Sequence, residues 1–169
     1  MFEGKTLLIS GGAGFLGSHL CEKLLESGHE VVCLDNLMTG FEENINHLKN
    51  NPKFKFINYN VTEINSEILR FAQNDKLDQI YHLASPASPN KNNPKSYIAH
   101  PFETMQVNSV GTWKLCEAAI KMNARFLFAS TSEVYGDPLE HPQKEEYRGN
   151  VSTTGPRAVY DESKRFGET

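Results

Sequence analysis

The sequence predicts an α/β fold, in which helices cover a doubly wound parallel sheet. Two observations support this prediction. Apolar strand-like segments alternate with helix-like segments along the 169 residues, and a glycine-rich loop follows the first of these strands. The connections between strands are long enough to hold a helix, as crossovers between parallel strands require. A chain of this length suffices for one domain with a buried core.

The first half of the chain supplies four of the predicted strands. Residues 6–9 form a short apolar run ending in glycines, as expected of a buried parallel strand. A helix should start in the glycine loop, carry an apolar stripe through Leu16, Leu20 and Leu24, and stop at Gly28. The remaining elements predicted here are strands at 30–34, 54–57 and 77–82, with short helices at 41–49 and 63–71.

The second half begins with a polar segment, residues 85–100, that reads as a loop or a helix lead-in. A long helix should follow over residues 101–121, because Pro101 suits a first helical turn. Its core-facing positions are predicted to be Val107, Val110, Leu115, Ala118 and Ala119. A fifth strand covers residues 125–129, and a last helix begins near Ala158.

Composition excludes several classes of function. Seventeen Lys and Arg against 21 Asp and Glu give a net charge of -4, which gives no support for binding to nucleic acid or to an anionic membrane. Cys21, Cys33 and Cys116 lie far apart, so they predict free buried thiols rather than disulfides or metal ligands. We expect no metal, and the lack of a signal-like or membrane-spanning segment leads us to expect a cytoplasmic protein.

The glycine loop carries the first functional signal. Gly11, Gly14 and Gly17 fit the pattern G-x-x-G-x-x-G, and Gly12, Gly14 and Gly17 fit G-x-G-x-x-G. The loop follows a strand and opens a helix, and Asp35 ends the next strand 18 residues after Gly17. This context predicts a dinucleotide site of the Rossmann type, with the pyrophosphate at the helix N-terminus.

Asp35 also indicates which dinucleotide binds. Its carboxylate can accept hydrogen bonds from the adenosine ribose hydroxyls and would repel a 2′-phosphate. Residues 36–40 contain no cation that could bind such a phosphate. The sequence therefore favours NAD over NADP.

Tyr160 and Lys164 carry the second functional signal. They lie four residues apart, so a helix places them on one face. A free phenol has a pKa of about 10, and a nearby ammonium group should lower it enough for the phenol to act as a base. Thr131, after the fifth strand, could orient a substrate hydroxyl. The three residues together predict proton removal from an alcohol.

These residues carry a family resemblance that extends over nearly the whole chain. The chain resembles the extended short-chain dehydrogenase/reductase family of nucleotide-sugar enzymes, and within it the enzymes that decarboxylate UDP-glucuronate. The matching stretches are residues 11–20, 35–36, 39–40, 82–89, 129–138, 141–143, 155–158, 160–162 and 164–165. The resemblance implies NAD as cofactor, a UDP-sugar as substrate and a homodimer. It also implies that residues 1–169 are an NAD-binding domain truncated before a C-terminal substrate lobe.

The resemblance assigns roles residue by residue. Tyr160 would be the base, Lys164 would tune it and Thr131 would align the hydroxyl, with less specific roles for Ser132 and Glu133. The cofactor-binding residues would be Gly11, Gly14, Phe15, Leu16, Gly17, Asp35, Asn36, Met38, Thr39, Gly40, Asn60, Val61, Leu83, Ser85, Val107, Tyr160 and Lys164.

Three positions depart from the family pattern. Asn60 stands where the family usually has an Asp, the segment 90–100 is longer, and Ser163 replaces a small residue between Tyr160 and Lys164. Arg157 reads equally well as a substrate contact or as a surface residue.

The triplet Thr131-Ser132-Glu133 separates three reactions that share oxidation of a sugar C4 hydroxyl. A 4,6-dehydratase needs a carboxylic acid where Ser132 stands, and serine is too weak an acid for that role. An epimerase usually lacks the Glu. We therefore expect decarboxylation of UDP-glucuronate to UDP-xylose through a 4-keto intermediate. Dehydration, C4 epimerisation and an inactive NAD-binding fragment remain the alternatives.

Overall fold

The computed structural model describes residues 4–65 and 76–169. Five parallel strands form one sheet in the order β3-β2-β1-β4-β5. The strands are β1 (Thr6–Ser10), β2 (Glu30–Asp35), β3 (Phe54–Asn58), β4 (Gln79–His82) and β5 (Arg125–Phe128). The order reverses at β1, as in a doubly wound sheet, so the predicted fold class is confirmed.

Within residues 4–65 and 76–169 the α-helices are α1 (Phe15–Glu26), α2 (Pro101–Gln106), α3 (Thr112–Met122) and α4 (Ala158–Glu168). Short 3-10 helices cover Glu42–Leu48, Val61–Glu63 and Ser132–Tyr135. The predicted helix at 41–49 is therefore a 3-10 helix. Of the predicted helix at 63–71, residues 66–71 lie outside the described residues. No helix in the described ranges is both long enough and apolar enough to cross a bilayer.

The chain divides into two compact units, which we describe separately. The first unit comprises Met1–Ala84 and Gly111–Ala129 and holds the whole sheet with α1 and α3. Its buried core lies where α1 and the Glu42–Leu48 turn pack against the sheet, and is formed by Leu7, Ile9, Ala13, Cys21, Leu25, Val31, Cys33, Ile45, Leu48 and Phe54. The second unit, Ser85–Val110 and Ser130–Thr169, holds α2 packed against α4.

Helix α1 buries a different face from the predicted one. Gly17, Ser18, Cys21 and Leu25 are its buried residues, whereas Leu16 is 69% exposed. The reason is the close approach of the helix to its own loop, since a Cβ on Gly17 would lie 2.1 Å from the Gly11 carbonyl oxygen. The small residues must face the loop and the sheet, so the prediction for Leu16 is wrong.

The predicted long helix is interrupted by one π-helical segment, Val107–Gly111, between α2 and α3. A π-segment inserts an extra residue into the helical turn and shifts the phase of the residues around it. Val110 is consequently 39% exposed, although the sequence predicts it to face the core. Leu115, Ala118 and Ala119, beyond the segment, are buried as predicted.

Candidate functional site

The first candidate site is the glycine loop between β1 and α1. Its backbone is tightly packed, because a Cβ on Gly11 would lie 2.6 Å from the Ala84 nitrogen and a Cβ on Gly12 would lie 2.5 Å from the Cys33 sulfur. Gly11 also has a φ of 78°, which a side chain disfavours. The fold itself therefore requires these glycines.

Gly14 differs from the other loop glycines. A Cβ there would approach only the Gly11 carbonyl oxygen, at 3.2 Å. Gly14 is also the N-cap of α1, which has no side-chain cap and no acidic residue in its first turn. The first-turn N–H groups and the positive end of the helix dipole can thus receive an anion, and a dinucleotide pyrophosphate fits this cradle.

Asp35 lies at the carboxyl end of β2, beside the glycine loop. Its Oδ2 accepts a hydrogen bond from the Ala13 N–H at 3.0 Å, and its Oδ1 accepts one from the Leu37 N–H at 2.8 Å. These two bonds fix the orientation of a buried carboxylate. Each carboxylate oxygen has a second lone pair, so the group can also accept hydrogen bonds from ribose hydroxyls.

The segment after Asp35 is attached to the same loop. The Phe41 N–H and the Asn44 side-chain amide both donate to the Ala13 carbonyl oxygen, at 3.1 and 2.9 Å. A Cβ on Gly40 would lie 3.0 Å from the Ala13 carbonyl carbon, so this glycine permits the close approach. The predicted cofactor residues Asn36, Met38, Thr39 and Gly40 all lie in this attached segment.

The remaining predicted cofactor residues of the first unit lie near other strand ends. Asn60 follows β3, and its side chain accepts a hydrogen bond from the Thr62 N–H at 3.1 Å, which caps the turn containing buried Val61. Leu83 follows β4, and its N–H donates to the Ser10 carbonyl oxygen at 2.9 Å. Their contacts with adenine or cofactor stay predictions.

A buried polar pair marks the point where the strand order reverses. The Ser10 hydroxyl and His82 Nδ1 are 2.7 Å apart at the neighbouring carboxyl ends of β1 and β4. Ligands of doubly wound sheets bind at this reversal. In the sequence, the only signal for this pair is that Ser10 follows one predicted strand and His82 ends another.

The second candidate site lies in the second unit and contains the Tyr–Lys pair. Tyr160 and Lys164 lie one turn apart on α4 and are 6% and 3% exposed. The Lys164 Nζ is 5.8 Å from the centre of the Tyr160 ring. The Thr131 side chain lies close enough to the Tyr160 phenol to lower its pKa. The structure therefore brings together the three residues for which the sequence predicts proton removal.

The turn Ser132–Tyr135 carries the other two predicted catalytic residues. Thr131 caps it by accepting a hydrogen bond from the Glu133 N–H at 3.2 Å. Arg165 on α4 donates to the Val134 carbonyl oxygen at 2.8 Å, which attaches the turn to the helix. Glu133 is held among the side chains near Tyr160, whereas Ser132 is exposed.

Burial dominates the electrostatics of this cluster. It raises the pKa of Tyr160, and the neighbouring Thr131 side chain opposes this only in part, while Glu133 and Asp161 raise it further. Burial also lowers the pKa of Lys164 to about 8. The expectation of a lowered phenol pKa is therefore wrong for this arrangement, because removing the phenolate from water outweighs its stabilising contacts.

The sequence indicates no role for Tyr97 and leaves the role of Arg157 open, and the structure places both in the cluster. The Tyr97 ring stacks on the Tyr160 ring, with centroids 4.7 Å apart and planes 7° apart, and its hydroxyl donates to Glu133 Oε2 at 3.3 Å. Arg157 Nη2 lies 3.2 Å from the same oxygen. Arg157 is thus an ion-pair partner of Glu133. Tyr97 lies in the unusually long segment 90–100, where no local pattern indicates a role for it.

Asn108, in the π-segment, connects three parts of the second unit. Its side-chain amide donates to the Ser85 hydroxyl at 3.0 Å and to the Ser163 hydroxyl at 3.2 Å. Ser163 in turn donates to the Tyr160 carbonyl oxygen at 3.1 Å. Ser163 therefore has a structural partner, and Ser85, a predicted cofactor residue, is fixed by the same amide. The sequence holds one indication that Asn108 is buried, since it lies one helical turn after Thr104 and therefore on the same face of the predicted helix.

The predicted cofactor residues are divided between the two units. The first unit holds all of them except Ser85, Val107, Tyr160 and Lys164. Among the described residues, no group of three or more His, Cys, Asp or Glu side chains is arranged to hold a metal ion. Cys21, Cys33 and Cys116 are free thiols, and a hydrogen bond with Cys21, together with burial, raises the pKa of Cys33.

Residues 7–169 match the family described as NAD dependent epimerase/dehydratase. The chain belongs to this family. The match confirms the predicted family and the predicted cofactor, NAD. A glycine loop followed by an acidic residue at the end of the next strand is typical of nucleotide-binding sheets of this kind.

Several curated relatives are similar to almost the whole chain. UDP-glucuronic acid decarboxylase 1 of Xenopus tropicalis is 48% identical over 167 residues, which are 99% of this chain and 37% of the relative. UDP-glucuronic acid decarboxylase 1 of Arabidopsis thaliana is 50% identical over 163 residues, which are 96% of this chain and 34% of the relative. The chain thus spans about a third of the length of these two relatives.

Solved structures of the family share the fold. The Bordetella bronchiseptica enzyme WbmG in complex with NAD is 28% identical, with a TM-score of 0.78 over 99% of this chain and 49% of that one. A UDP-galactose 4-epimerase is 31% identical, with a TM-score of 0.71 over 96% of this chain and 49% of that one. The UDP-Glc/GlcNAc 4-epimerase of Campylobacter jejuni gives a TM-score of 0.78 at 28% identity.

Proposed function

We propose that the protein containing this chain decarboxylates UDP-glucuronate to UDP-xylose with NAD as a recycled cofactor. The observation that carries the proposal is the cluster of Tyr160, Lys164, Thr131 and Glu133 in the second unit. The names of the curated relatives support the same reaction. NAD, when bound, would accept the hydride from the sugar C4 and later return it.

Tyr160 is the proposed base for the C4 hydroxyl. The neighbouring Thr131 side chain lowers the pKa of the phenol, and the stacked Tyr97 ring fixes the plane of the phenol. Lys164 is buried one turn away, where its charge can stabilise the phenolate once substrate excludes water. Tyr160 takes the hydroxyl proton during oxidation and gives it back during reduction.

The chemistry of the turn favours decarboxylation over dehydration. Ser132 is exposed and weakly acidic, so the turn lacks an acid at the position where a dehydratase needs one to expel the C6 hydroxyl. Oxidation at C4 turns UDP-glucuronate into a β-keto acid, which loses carbon dioxide without such an acid.

The experiment is product analysis of the enzyme expressed from its complete reading frame. With UDP-glucuronate and NAD, mass spectrometry should find UDP-xylose and a matching amount of carbon dioxide. A 4-keto-6-deoxy sugar from UDP-glucose or dTDP-glucose would instead support the dehydratase, and an inverted C4 would support the epimerase. NAD binding without turnover of any of these sugars would support an inactive NAD-binding protein.

We also propose that the protein is a cytoplasmic homodimer. The free thiols are consistent with a reducing compartment. Large apolar side chains are exposed on the helices of each unit, including Phe102 on α2 and Ile120 on α3, each 81% exposed. Exposed apolar residues of this size on helices suit helix packing against a second copy.

A further inference from the structure

A serine is buried in the helical turn between the proposed base and its lysine. Ser163 lies on α4 between Tyr160 and Lys164 and is 2% exposed. It is also one of the three positions at which the chain departs from the family pattern. A buried hydroxyl group costs free energy unless it is hydrogen-bonded, so the contacts of Ser163 explain why a polar side chain is tolerated there.

The Ser163 hydroxyl makes two buried hydrogen bonds. It donates to the Tyr160 carbonyl oxygen at 3.1 Å, and the Asn108 side-chain amide donates to it at 3.2 Å. A serine hydroxyl has a single proton, which here goes to the carbonyl, so the amide must be the donor in the other bond. The bonds therefore run in one direction, from Asn108 through Ser163 to the backbone of Tyr160.

The Asn108 amide is held on its other side as well. Its Nδ2 also donates to the Ser85 hydroxyl at 3.0 Å, and that hydroxyl donates to the Pro86 carbonyl oxygen at 3.0 Å. An amide nitrogen carries two hydrogens, and the two serines use both of them. Asn108 is fully buried and lies in a π-helical segment, a feature that frequently occurs at functional sites. The amide cannot rotate without losing one of its two serine partners.

This network reaches every predicted cofactor residue of the second unit. Asn108 bonds to the first of these residues and directly follows the second in the chain. Ser163 bonds to the backbone of the third and directly precedes the fourth. The four residues, in chain order, are Ser85, Val107, Tyr160 and Lys164.

The other contacts of α4 leave a separate task to Ser163. The stacked Tyr97 ring restricts the plane of the Tyr160 ring, whereas the Ser163 hydroxyl restricts the backbone from which that ring projects. Arg165 attaches the next turn of the helix, through the Val134 carbonyl oxygen. A base must lie within hydrogen-bond reach of the proton it removes, and a displacement of about 1 Å can lower a rate about 100-fold.

We propose that Ser163 is a positioning residue for the base Tyr160. Its hydroxyl holds the backbone of Tyr160 in a fixed position relative to Asn108 and, through Asn108, to the segment that carries Ser85. The phenol is thereby positioned together with the predicted cofactor contacts of this unit. The inference rests on the proposed function and extends it to a residue that acts only through Tyr160.

The test compares Ser163→Ala with Ser109→Ala in the complete enzyme. Ser109 is the matched control, because its hydroxyl donates to the Met105 carbonyl oxygen one turn earlier and both changes bring the same gain in helix propensity. In Ser163→Ala we expect kcat for UDP-xylose formation to fall about tenfold and the KM for UDP-glucuronate to stay within about twofold, because only the base is displaced. Ser109→Ala should keep both constants within about twofold.

Thermal unfolding of the same proteins separates positioning from a merely structural role. If Ser163→Ala had a lower unfolding temperature but the kcat of the wild type, the hydroxyl would contribute to stability alone and the proposal would be overturned. A tenfold loss of kcat in a variant that still unfolds cooperatively supports it.

A double-mutant cycle tests the connection to Asn108. In an enzyme that already carries Asn108→Ala, the amide no longer reaches Ser163, so adding Ser163→Ala should lower kcat by less than about twofold. The same tenfold loss in both backgrounds would show that Ser163 acts without Asn108 and would overturn the proposed connection.

Hydrogen exchange provides a readout that needs no substrate. The α4 amides of residues 160–164 should exchange about fivefold faster in Ser163→Ala than in the wild type, although alanine is the better helix former, and at the wild-type rate in Ser109→Ala. Unchanged exchange in Ser163→Ala would overturn the anchoring of this turn. If the wild type forms no UDP-xylose from UDP-glucuronate, the proposed function fails, and the exchange result alone decides whether Ser163 anchors the turn.

Discussion

Tyr160 is surrounded by groups that keep its phenol neutral. Burial, Glu133 and Asp161 all raise its pKa, and only the neighbouring Thr131 side chain acts against them. A base in such a position does not lose its proton to solvent at neutral pH. In the proposed reaction its proton transfer would therefore be coupled to substrate oxidation, which suits a base that takes a proton and returns it within one catalytic cycle.

Replacing Tyr160 by Phe should remove the base and leave the fold intact. The phenyl ring keeps the stack on Tyr97 and loses only the hydroxyl. We expect kcat to fall by about 10²- to 10⁴-fold, the range for one general acid–base group. Tyr147→Phe is the control, because that hydroxyl accepts a hydrogen bond from the exposed Leu139 N–H and lies outside the Tyr160 cluster. Steady-state kinetics with UDP-glucuronate measure both, and near-normal turnover of Tyr160→Phe would exclude it as the base.

Lys164 should make stability depend on alkaline pH. Burial lowers its pKa from 10.5 to about 8, so between these values the unfolded chain binds a proton that the folded chain does not. The free energy of unfolding should therefore rise with pH across this window, by about 3 kcal/mol for a shift of this size. Lys164→Met should lack that rise.

Denaturant titrations at about pH 7.5, 9 and 10 measure this difference. Subtracting the variant from the wild type removes the contributions of groups that titrate in both proteins. Parallel stability curves for the two proteins would contradict a depressed Lys164 pKa.

At the scale of elements, the glycine loop contains residues that the fold requires and one, Gly14, that we predict to face the cofactor. A Cβ on Gly17 would lie 2.1 Å from a backbone oxygen, whereas a Cβ on Gly14 would lie 3.2 Å from the same oxygen. Gly14 also has φ and ψ of -75° and 175°, which alanine adopts without strain. The two positions therefore differ in what a methyl group would disturb.

Gly17→Ala should destabilise the protein, by about 1–3 kcal/mol as in other overpacked sites. Gly14→Ala should leave the unfolding temperature close to the wild type and weaken NAD binding, because its methyl group would enter the pyrophosphate cradle. Thermal unfolding and calorimetric titration with NAD measure the two effects. A destabilised Gly14→Ala with unchanged NAD affinity would show that the cradle is assigned incorrectly.

The elements also show how far local sequence patterns reach. Buried apolar runs predict the bounds of β1, β2 and β5 to within about two residues, because a buried parallel strand consists of a continuous apolar run in the sequence. The π-segment Val107–Gly111 was not predictable, because it depends on where Asn108 finds its partners. The buried face of α1 was mispredicted because it depends on backbone contacts of Gly17 that hydrophobic periodicity does not contain.

The same limit applies to the candidate site. Tyr160, Lys164 and Thr131 were predictable, since a spacing of four residues and a strand end are local features. Tyr97 was not, because it reaches Tyr160 and Glu133 only through tertiary packing. A raised phenol pKa likewise depends on burial that no spacing reveals.

At the scale of the whole molecule, the chain is a member of the NAD dependent epimerase/dehydratase family. It spans about a third of the length of the Xenopus tropicalis and Arabidopsis thaliana relatives described above. Its two units carry different parts of the proposed chemistry. The first unit supplies the nucleotide-binding sheet, and the second supplies the acid–base cluster around α4.

The proposed dimer predicts that a charge on an exposed helix face disrupts self-association. Phe102→Glu should shift the enzyme from dimer to monomer in sedimentation analysis, because the charge would be buried at the proposed interface. Leu139→Glu is the matched control, since Leu139 is 79% exposed but lies in a polar loop. Equal sedimentation of both variants and the wild type would place any interface elsewhere.

The most direct test of the central claim uses UDP-glucuronate that carries deuterium at C4. If the C4 hydrogen leaves as a hydride and returns from the same cofactor, the complete enzyme should release carbon dioxide and form UDP-xylose that keeps the deuterium at C4. NMR of the product in ordinary water reads this result. UDP-xylose that has exchanged its C4 deuterium for solvent hydrogen, or a product that keeps its carboxylate, would contradict the account.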